Sequence, residues 1–367
     1  MRIALIVPGG VDPLGVRVIP VLLTLIRRLA RDHDVHVFTT HQEPIPGGWP
    51  LEGAQIHNLG LPRTARRALK GVAMEHRKAP FQIIHSIWAG PSGALAVCAG
   101  KWLRVPSVVH VAGGELVGFA DIDYGGCRTW RGRVFQSGVL KLATRVTAPS
   151  EMICTLVAER GVQAQRLPLG VDLECWPLRH PVRRRRDEQP RLVHVASLNR
   201  VKDQRTLLRA LRLLADRDYD FRVDIVGEDI LNGEIQAMSQ DMGLDQRVQF
   251  RGYLTHDRLR PVIEAAHVAV ISSRHEAGPL ALLEAAVAGV PTVGTAVGHI
   301  AEWNPEAALA VPCQDPAALA DAIQLLLDDE DLRMRLANEA LRRASQMDAD
   351  QTALAYNRLY HQLLSKN

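Results

Sequence analysis

The chain has 367 residues, too many for one ordinary hydrophobic core, and this length predicts two domains. Its composition, 47% hydrophobic and 23% charged, is that of a globular enzyme and excludes a disordered chain. The formal net charge of +4 is too small to indicate nucleic acid, and no aromatic-rich RNA-binding motif accompanies the basic residues. We therefore expect no nucleic-acid partner.

The five cysteines are scattered, and no two of them form a C-x-x-C pair. This pattern predicts neither a zinc site nor a disulfide framework, so no metal is expected. A strand signal begins at Met1, and the apolar stretches 18–26 and 280–293 fall short of the roughly 20 residues that span a membrane. We expect a cytoplasmic protein, with peripheral contact at the inner membrane face as an open alternative.

Two clusters of basic residues stand out. A run of four arginines covers residues 183–186, and a looser cluster comprises Arg63, Arg66, Arg67, Lys70, Arg77 and Lys78. A solvated face and a solvated linker account for them. The alternative is attraction to the phosphates of an acceptor or of an anionic membrane.

The first half alternates short apolar, β-branched runs with helical stretches. The runs cover residues 3–7, 35–39, 55–59, 83–86, 107–111 and 146–148. Most are apolar throughout, as expected for parallel strands buried on both faces. After the first run, Gly9 and Gly10 either form an ordinary turn or let the backbone approach a phosphate. Without a G-x-G-x-x-G pattern, a dinucleotide cofactor is not supported.

The second half repeats this rhythm, with runs at 192–196, 222–226, 248–251, 268–271, 291–294 and 309–311. The repeat predicts two Rossmann-like, doubly wound α/β domains facing a cleft. A polar, proline-rich stretch predicts a linker at 177–190, between domains at 1–176 and 191–345. The segment 346–367 has the pattern of a helix that packs back toward the first domain.

The strongest local signal is the segment 273–291. Glu276 follows the strand that ends near residue 271, Gly278 and Pro279 make a tight entry into a helix, and Glu284 lies about one and a half turns inside it. Pro279 is expected at the first helical position. The free N–H groups of Gly278 and Leu280 and the two carboxylates suit a polyhydroxylated, phosphate-bearing ligand. The alternative is that Glu276 caps the helix and Glu284 is solvated.

This segment, with its two glutamates and the following Ala-Gly-Val-Pro-Thr-Val, resembles the signature of the family 4 (group 1) retaining glycosyltransferases. The resemblance covers essentially the whole chain. Further matching segments are residues 167–172 with 176–177, 193–203, 225–227, 250–252, and Gly298 with Glu302.

The resemblance implies a GT-B fold and a nucleotide-diphosphate-sugar donor, UDP-, GDP- or ADP-linked, with no cofactor required. Lys202 and Glu276 are the implied catalytic residues, on the donor diphosphate and the donor sugar. Glu284 should bind the ribose hydroxyls, and the backbone of Gly278, Pro279 and Leu280 should face the sugar and phosphates. The family also has a glycine-rich loop at the position of Gly9 and Gly10.

The sequence departs from the family pattern at three places. The family arginine that clamps a phosphate falls on Ser197, and Arg200 is a candidate replacement. The family histidine that contacts the donor sugar falls on Ala112, with His110 either a substitute or a core histidine. The aromatic residue and glycine that usually follow the first glutamate are replaced by Gly278 and Pro279.

The loop 113–127 is expected at the cleft edge of the first domain. We expect it to recognise an acceptor hydroxyl on a glycan, a lipid-linked glycan or a small molecule, unless it is an ordinary surface loop. Its candidate side chains, with the nearby histidine, are His110, Glu115, Asp121, Asp123 and Tyr124.

Three functions are compatible with these residues. The first is a retaining transferase that moves a sugar from the donor to an acceptor hydroxyl. The second is a sugar-nucleotide epimerase on the same fold. The third is a non-catalytic sugar-nucleotide-binding partner, which the retention of Lys202, Glu276 and Glu284 argues against.

Overall fold

A computed structural model describes residues 1–15, 17–40, 42–60 and 65–365. The chain divides into two compact units, one of Met1–Gly170 with Ala349–Asn367 and the other of Val171–Asp348. The division therefore falls ahead of residue 176, and the stretch 177–190 lies within the second unit.

The described part of the first unit contains one eight-stranded sheet, and its neighbouring strands are parallel except for the pair β3 and β4. The order across the sheet is β3-β4-β2-β1-β5-β6-β7-β8. The strands are β1 (Arg2–Val7), β2 (Asp34–Thr39), β3 (Gly47–Leu51), β4 (Ala54–Asn58), β5 (Ile83–Ile87), β6 (Ser107–His110), β7 (Arg145–Ala148) and β8 (Ala164–Arg166).

The six strands predicted for this half are present. The two that were not predicted, β3 and β8, are the edge strands of the sheet, where burial imposes no apolar pattern. The sheet is flanked by α1 (Pro20–Ala30), α2 (Ala65–Lys78), α3 (Pro91–Leu103), α4 (Trp130–Leu142) and α5 (Glu151–Ala158).

The second unit contains a six-stranded parallel sheet in the order β11-β10-β9-β12-β13-β14, and all six strands were predicted. The strands are β9 (Arg191–Val195), β10 (Arg222–Val226), β11 (Val248–Gly252), β12 (Val268–Ile271), β13 (Thr292–Thr295) and β14 (Ala308–Val311). The helices are α6 (Gln204–Asp216), α7 (Glu234–Asp241), α8 (His256–Glu264), α9 (Leu280–Val287), α10 (Gly298–Trp303), α11 (Pro316–Asp328) and α12 (Glu330–Ala344).

The last helix, α13 (Ala349–Leu364), belongs to the first unit and packs on α1. Tyr356, Leu359, Tyr360 and Leu363 are buried in that unit's core. Thr352 joins this stripe, and its hydroxyl donates to the carbonyl of Pro168 at 2.9 Å. No helix in the described part of the chain combines the length and the apolarity needed to cross a bilayer.

Two fully buried histidines lie beside α13. His85 Nδ1 is 2.7 Å from the Tyr360 hydroxyl, and His110 Nδ1 is 3.0 Å from Thr147 Oγ1. In each ring the second nitrogen, Nε2, has no hydrogen-bond partner among the described residues. Burial lowers the pKa of each ring from 6.5 to about 3, so both are neutral core side chains at pH 7.

These histidines predict acid sensitivity of the first unit. Below pH 6.5 these two histidines bind protons in the unfolded chain but stay neutral in the folded state. The free energy of unfolding therefore falls as the pH drops from 6.5 toward 3. The urea midpoint followed between pH 7.5 and 5 should decline, and the His110→Gln variant should show a shallower decline. An unchanged slope in that variant would remove His110 as a cause.

Candidate active site

The sheet of the second unit has one topological switch point, between β9 and β12. From β9 the chain continues to β10 and β11 on one side, whereas β12, β13 and β14 build the other side. In open α/β sheets, ligands bind beyond the carboxyl ends of the strands at such a point. Lys202 follows β9 and Glu276 follows β12, so the two implied catalytic residues come from the two strands that border it.

Lys202 and Glu276 form a direct ion pair. Lys202 Nζ donates to Glu276 Oε1 at 2.5 Å, and Ser273 Oγ donates to the same oxygen at 2.6 Å. The side chain of Lys202 is 26% exposed and that of Glu276 is 13% exposed. Both side chains therefore lie near enough to the surface for a ligand to replace either partner of the pair.

Two hydrogen bonds to backbone carbonyls join the two loops that carry this pair. Ser272 Oγ donates to the carbonyl of Lys202 at 2.9 Å, and the N–H of Arg274 donates to the carbonyl of Val201 at 2.8 Å. The amide oxygen of Asn199 accepts from the N–H of Lys202 at 3.1 Å. These bonds hold both loops at the switch point before any ligand binds.

Helix α9 begins at Leu280 and not at Pro279. Pro279 is the N-cap residue in an extended conformation, so the expectation that it occupies the first helical position was wrong. The cause is its ψ of 114°, which turns the chain into the helix one residue later. The N–H groups of Leu280 and Ala281 are still in the first turn, where helices provide no backbone acceptor. Gly278 precedes them in the loop.

Glu284 lies on α9 with a half-buried side chain. Among the described residues its carboxylate has no hydrogen-bond or ion-pair partner. Burial raises its pKa from 4.5 to about 7. Buried carboxylates are normally paired, and a carboxylate left without a partner is typical of a binding site.

Gly298, at the start of α10, supports the loop that carries Glu276. Its φ is +48°, and a Cβ there would lie 3.0 Å from the carbonyl oxygen of Glu276 and 3.0 Å from Pro279 Cδ. Only glycine combines this left-handed backbone with such close packing.

Gly298→Ala should therefore lower both stability and activity. The left-handed conformation alone costs roughly 1–2 kcal/mol for a non-glycine residue. The added methyl group should also displace the loop carrying Glu276. Gly243→Ala is the matched control, because its φ is +65° and a Cβ there would meet nothing closer than 3.8 Å. The control should lose stability in urea denaturation and keep its activity; equal activities in both variants would contradict the packing argument.

Ser197 and Arg200, the positions of the missing and the replacement phosphate clamp, are both exposed. Arg200 has no hydrogen-bond or ion-pair partner among the described residues, so its guanidinium is available to an anion. Ser273 was not assigned a role from the sequence. The available signal was a polar residue two positions after the end of a buried strand.

In the first unit, Gly9 and Gly10 follow β1 at that sheet's switch point, between β1 and β5. The N–H groups of Gly10 and Val11 donate to Gln42 Oε1 at 2.8 and 3.0 Å. Gly10 has a φ of +85°, and a Cβ there would lie 2.6 Å from Ile19. Gln42 therefore accepts the hydrogen bonds from the two backbone N–H groups that a phosphate would use. The requirement for glycine at position 10 follows from its backbone conformation and from its close packing on Ile19.

Glu115 is buried, and its carboxylate accepts three backbone hydrogen bonds. The donors are the N–H groups of Ala89 at 2.9 Å, Ala112 at 3.3 Å and Gly113 at 2.7 Å. Burial raises the pKa of Glu115, while these hydrogen bonds oppose the rise. The carboxylate thus holds the loop after β6 in place.

The remaining acceptor candidates lie on the outer part of that loop. Asp121 and Asp123 are exposed, and Asp123 pairs with Arg128. The ring of Tyr124 stacks on Phe119 with their centroids 6.3 Å apart. These side chains are accessible, in contrast to His110, which is fully buried.

Two of the four arginines at 183–186 pair with acidic side chains of the second unit. Arg183 pairs with Asp331 and Arg185 pairs with Asp187. The backbone N–H of Arg184 donates to Glu330 Oε1, and its guanidinium donates to the carbonyl of Leu327. In the other cluster Lys78 pairs with Glu75, and Arg63 lies outside the described residues.

One group of described residues has the spacing of metal ligands. Ligand atoms of His36, His57 and Glu75 lie within 4.8 Å of one another. The guanidinium of Arg2 already occupies this group, 3.0 Å from His36 Nε2 and 3.8 Å from Glu75 Oε2. The positive charge of this guanidinium disfavours the binding of a metal ion at the same place. All five cysteines are free thiols.

The fold and the site at the switch point define a class of protein. Two parallel-sheet α/β units are shared with solved GT-B glycosyltransferase structures, which confirms the predicted fold class. The family model "Glycosyl transferase 4-like domain" matches residues 18–170, and "Glycosyl transferases group 1" matches residues 178–343. The chain therefore belongs to the group 1 glycosyltransferases, as the resemblance predicted.

Two curated relatives with different names match this chain. The D-inositol 3-phosphate glycosyltransferase of Corynebacterium glutamicum is 28% identical over 47% of this chain and 43% of its own length. The glycogen synthase of Mycobacterium tuberculosis is 25% identical over 96% of this chain and 84% of its own length. The chain spans about half or less of the length of each of the first three relatives that it matches.

Two solved structures are similar over at least 99% of this chain. A sucrose-phosphate synthase from Thermosynechococcus elongatus is 22% identical with a TM-score of 0.81, and all of both chains is covered. HepE of Anabaena, solved in complex with UDP and glucose, is 15% identical with a TM-score of 0.75 and covers 99% of this chain and 100% of its own. At these identities the likeness shows the fold alone.

Proposed function

We propose that this chain is a retaining glycosyltransferase that moves a sugar from a nucleotide-diphosphate-sugar donor to an acceptor hydroxyl. The observation that carries the proposal is the ion pair of Lys202 and Glu276 at the switch point, with the unpartnered Glu284 carboxylate on the following helix. A cation, a hydroxyl-binding carboxylate and a second carboxylate correspond to the diphosphate, the sugar and the ribose of such a donor.

In the proposed reaction, the bond between the anomeric carbon and the diphosphate oxygen breaks. The acceptor oxygen bonds to that carbon on the same face, and its proton passes to the departing phosphate. Lys202 neutralises the negative charge that develops on the leaving phosphate, as preorganised cations do in phosphate chemistry. Arg200 supplies a second positive charge in place of the arginine that Ser197 replaces.

Glu276 has two states in this scheme. Without donor, its Oε1 accepts from Lys202 and Ser273. When the diphosphate takes Lys202, this carboxylate accepts hydrogen bonds from sugar hydroxyls instead. An ionised carboxylate has about four lone-pair sites, so Ser273 can keep its hydrogen bond.

The donor nucleotide is tested by thermal shift with UDP, GDP and ADP and their glucose or mannose conjugates. HepE was solved with UDP, so UDP is the first candidate. We expect one nucleotide to raise the midpoint of the second unit, and its sugar conjugate to raise it further. A complete absence of shift with all three would contradict the proposal.

Product analysis separates transfer from the two alternatives. With the bound donor and an acceptor panel of simple glycosides and inositol phosphate, NMR should show a new glycosidic bond with the donor's anomeric configuration. An epimerase would yield an altered sugar or free nucleotide without any acceptor. A non-catalytic binder would show the thermal shift and no product. Inversion at the anomeric carbon would contradict the retaining assignment.

The acceptor is proposed to meet the outer part of the loop after β6. Asp121, Asp123 and Tyr124 are its accessible polar side chains, while Glu115 holds the loop from inside. Asp121→Asn should raise the KM for the acceptor and leave nucleotide affinity unchanged.

A further inference from the structure

Helix α4 exposes large apolar side chains to solvent. Trp130 is 64% exposed, Val134 63%, Leu142 53% and Phe135 43%. The helix packs inward through Gln136, Val139 and Leu140. At 100° per residue the exposed apolar side chains fall within a sector of about 140° that is separate from the sector of the three buried side chains, so they form one outward face.

The same face is basic. Between Tyr124 and Ser150 the chain has no aspartate or glutamate, and it carries Arg128, Arg131, Arg133, Lys141 and Arg145. On α4 itself Arg131, Arg133 and Lys141 are exposed, and none has an ion-pair partner among the described residues. The guanidinium of Arg131 lies 5.5 Å from the ring centroid of Trp130.

This combination distinguishes α4 from the clusters singled out in the sequence. Of the arginines at 183–186, Arg183 and Arg185 pair with aspartates, and the run lies in no helix that could present an apolar face. Helix α2 carries cations, but its one large exposed apolar side chain among those described is Met74. Only on α4, within the described residues, do unpaired cations surround several exposed apolar side chains.

We propose that α4 is a docking surface for an anionic lipid bilayer and lies in the plane of that surface. Apolar side chains enter the boundary between headgroups and acyl chains, and flanking cations bind the anionic headgroups. Lysine and arginine extend their charged ends to the headgroups while their stems cover apolar surface. A second copy of the chain fits this face poorly, since self-association would bring the same cations together without an acidic counterpart.

The proposal is tested by flotation of the full chain with phosphatidylcholine vesicles, with and without about one third phosphatidylglycerol, at low and high salt. Binding should require the anionic lipid and weaken with salt. Since each basic residue near the surface contributes roughly 1 kcal/mol, Arg131→Glu with Arg133→Glu should weaken binding more than about tenfold. Trp130→Ala with Val134→Ser should weaken it severalfold even at low salt.

Two matched controls accompany these variants. Arg66→Glu with Lys70→Glu makes the same charge change on α2, and Leu354→Ala removes an apolar side chain that is 42% exposed on α13. Both should bind vesicles within about twofold of the parent chain, and all variants should retain the parent's thermal midpoint. Equal loss in the α2 pair would reassign the effect to overall charge and overturn the proposal.

Fluorescence places the helix itself at the lipid. The parent chain should show a blue shift of tryptophan emission on binding anionic vesicles. Trp130→Phe should still float with the vesicles but lose most of that shift. Vesicle binding by the parent that no α4 variant alters, or concentration-dependent dimerisation that these variants abolish, would overturn the proposal. The measurement needs no donor or acceptor, so it stands apart from the proposed transferase reaction.

Discussion

Replacing Lys202 by methionine should reduce sugar transfer about 10²–10³-fold, mainly in kcat, which is the usual effect of removing one preorganised charge from a transition state. Lys202 is the cation at the switch point that contacts Glu276, and methionine keeps its length without its charge. The measurement is the initial rate with the donor found by thermal shift.

Stability should change little in this variant. The pair is partly exposed, and Glu276 keeps the hydrogen bond from Ser273 at 2.6 Å, so the loss should be on the order of 1 kcal/mol. That corresponds to a shift of about 2–4 °C in the melting temperature of a unit of this size. Arg209→Met, which removes an exposed cation from α6, should leave the rate unchanged.

Glu276→Gln is the companion variant. It keeps the shape of the side chain and removes the charge that pairs with Lys202, so transfer should again fall by orders of magnitude. Activity near that of the parent chain in either variant would take the residue out of the mechanism. Loss of folding in both would instead assign the pair to structure, and circular dichroism distinguishes these outcomes.

Replacing Glu284 by glutamine should weaken nucleotide binding about 10–100-fold, since a hydrogen bond to a charged group contributes roughly 1.5–3 kcal/mol. Titration calorimetry with the donor nucleotide measures this change. The matched control is Asp245→Asn, because Asp245 is exposed and precedes β11, an edge strand of the same sheet. This variant should bind the nucleotide as tightly as the parent chain. Unchanged affinity in Glu284→Gln would refute the ribose assignment.

The same variant should be more stable than the parent chain without nucleotide. The pKa of Glu284 is raised to about 7, so between pH 4.5 and 7 the folded state binds more protons than the unfolded state. Its contribution to stability therefore falls as the pH rises through that window. Glutamine removes this penalty, and the gain at pH 8 should be on the order of 1–2 kcal/mol after allowing for partial exposure.

Nucleotide affinity should follow the opposite trend with pH. Ribose hydroxyls need the ionised carboxylate as acceptor, so the affinity of the parent chain should rise as the pH passes through about 7. Glu284→Gln should lack this dependence. A parent affinity that does not vary between pH 6 and 8 would contradict the titration of Glu284 in the binding site.

The fold was predictable from local pattern. Strands buried on both faces are apolar throughout, and this pattern marked most of the inner strands of both sheets. The edge strands β3 and β8 were not predicted because their side chains are mostly exposed and carry no apolar pattern. The position of Lys202 after β9 and of Glu276 after β12 was also readable, since both follow recognisable strands.

The partners of these residues were not predictable from local pattern. Gln42 occupies the N–H groups of Gly10 and Val11 from 31 and more residues away, and Glu115 turns inward to the N–H of Ala89. Neither contact has a local sequence signal. The division at Gly170 and the joining of α13 to the first unit likewise rest on contacts distant in sequence.

The sequence by itself determined the alternation of strands and helices, the two sheets and the family, because these follow from burial periodicity and from the order of short motifs. Only the tertiary structure decided which charges are paired and which are not. It paired Arg183 and Arg185 with aspartates, joined Lys202 to Glu276 and left Glu284 without a partner among the described residues. The physical reason is that electrostatic pairing depends on distances in space, and residues 74 positions apart in the chain meet here at 2.5 Å.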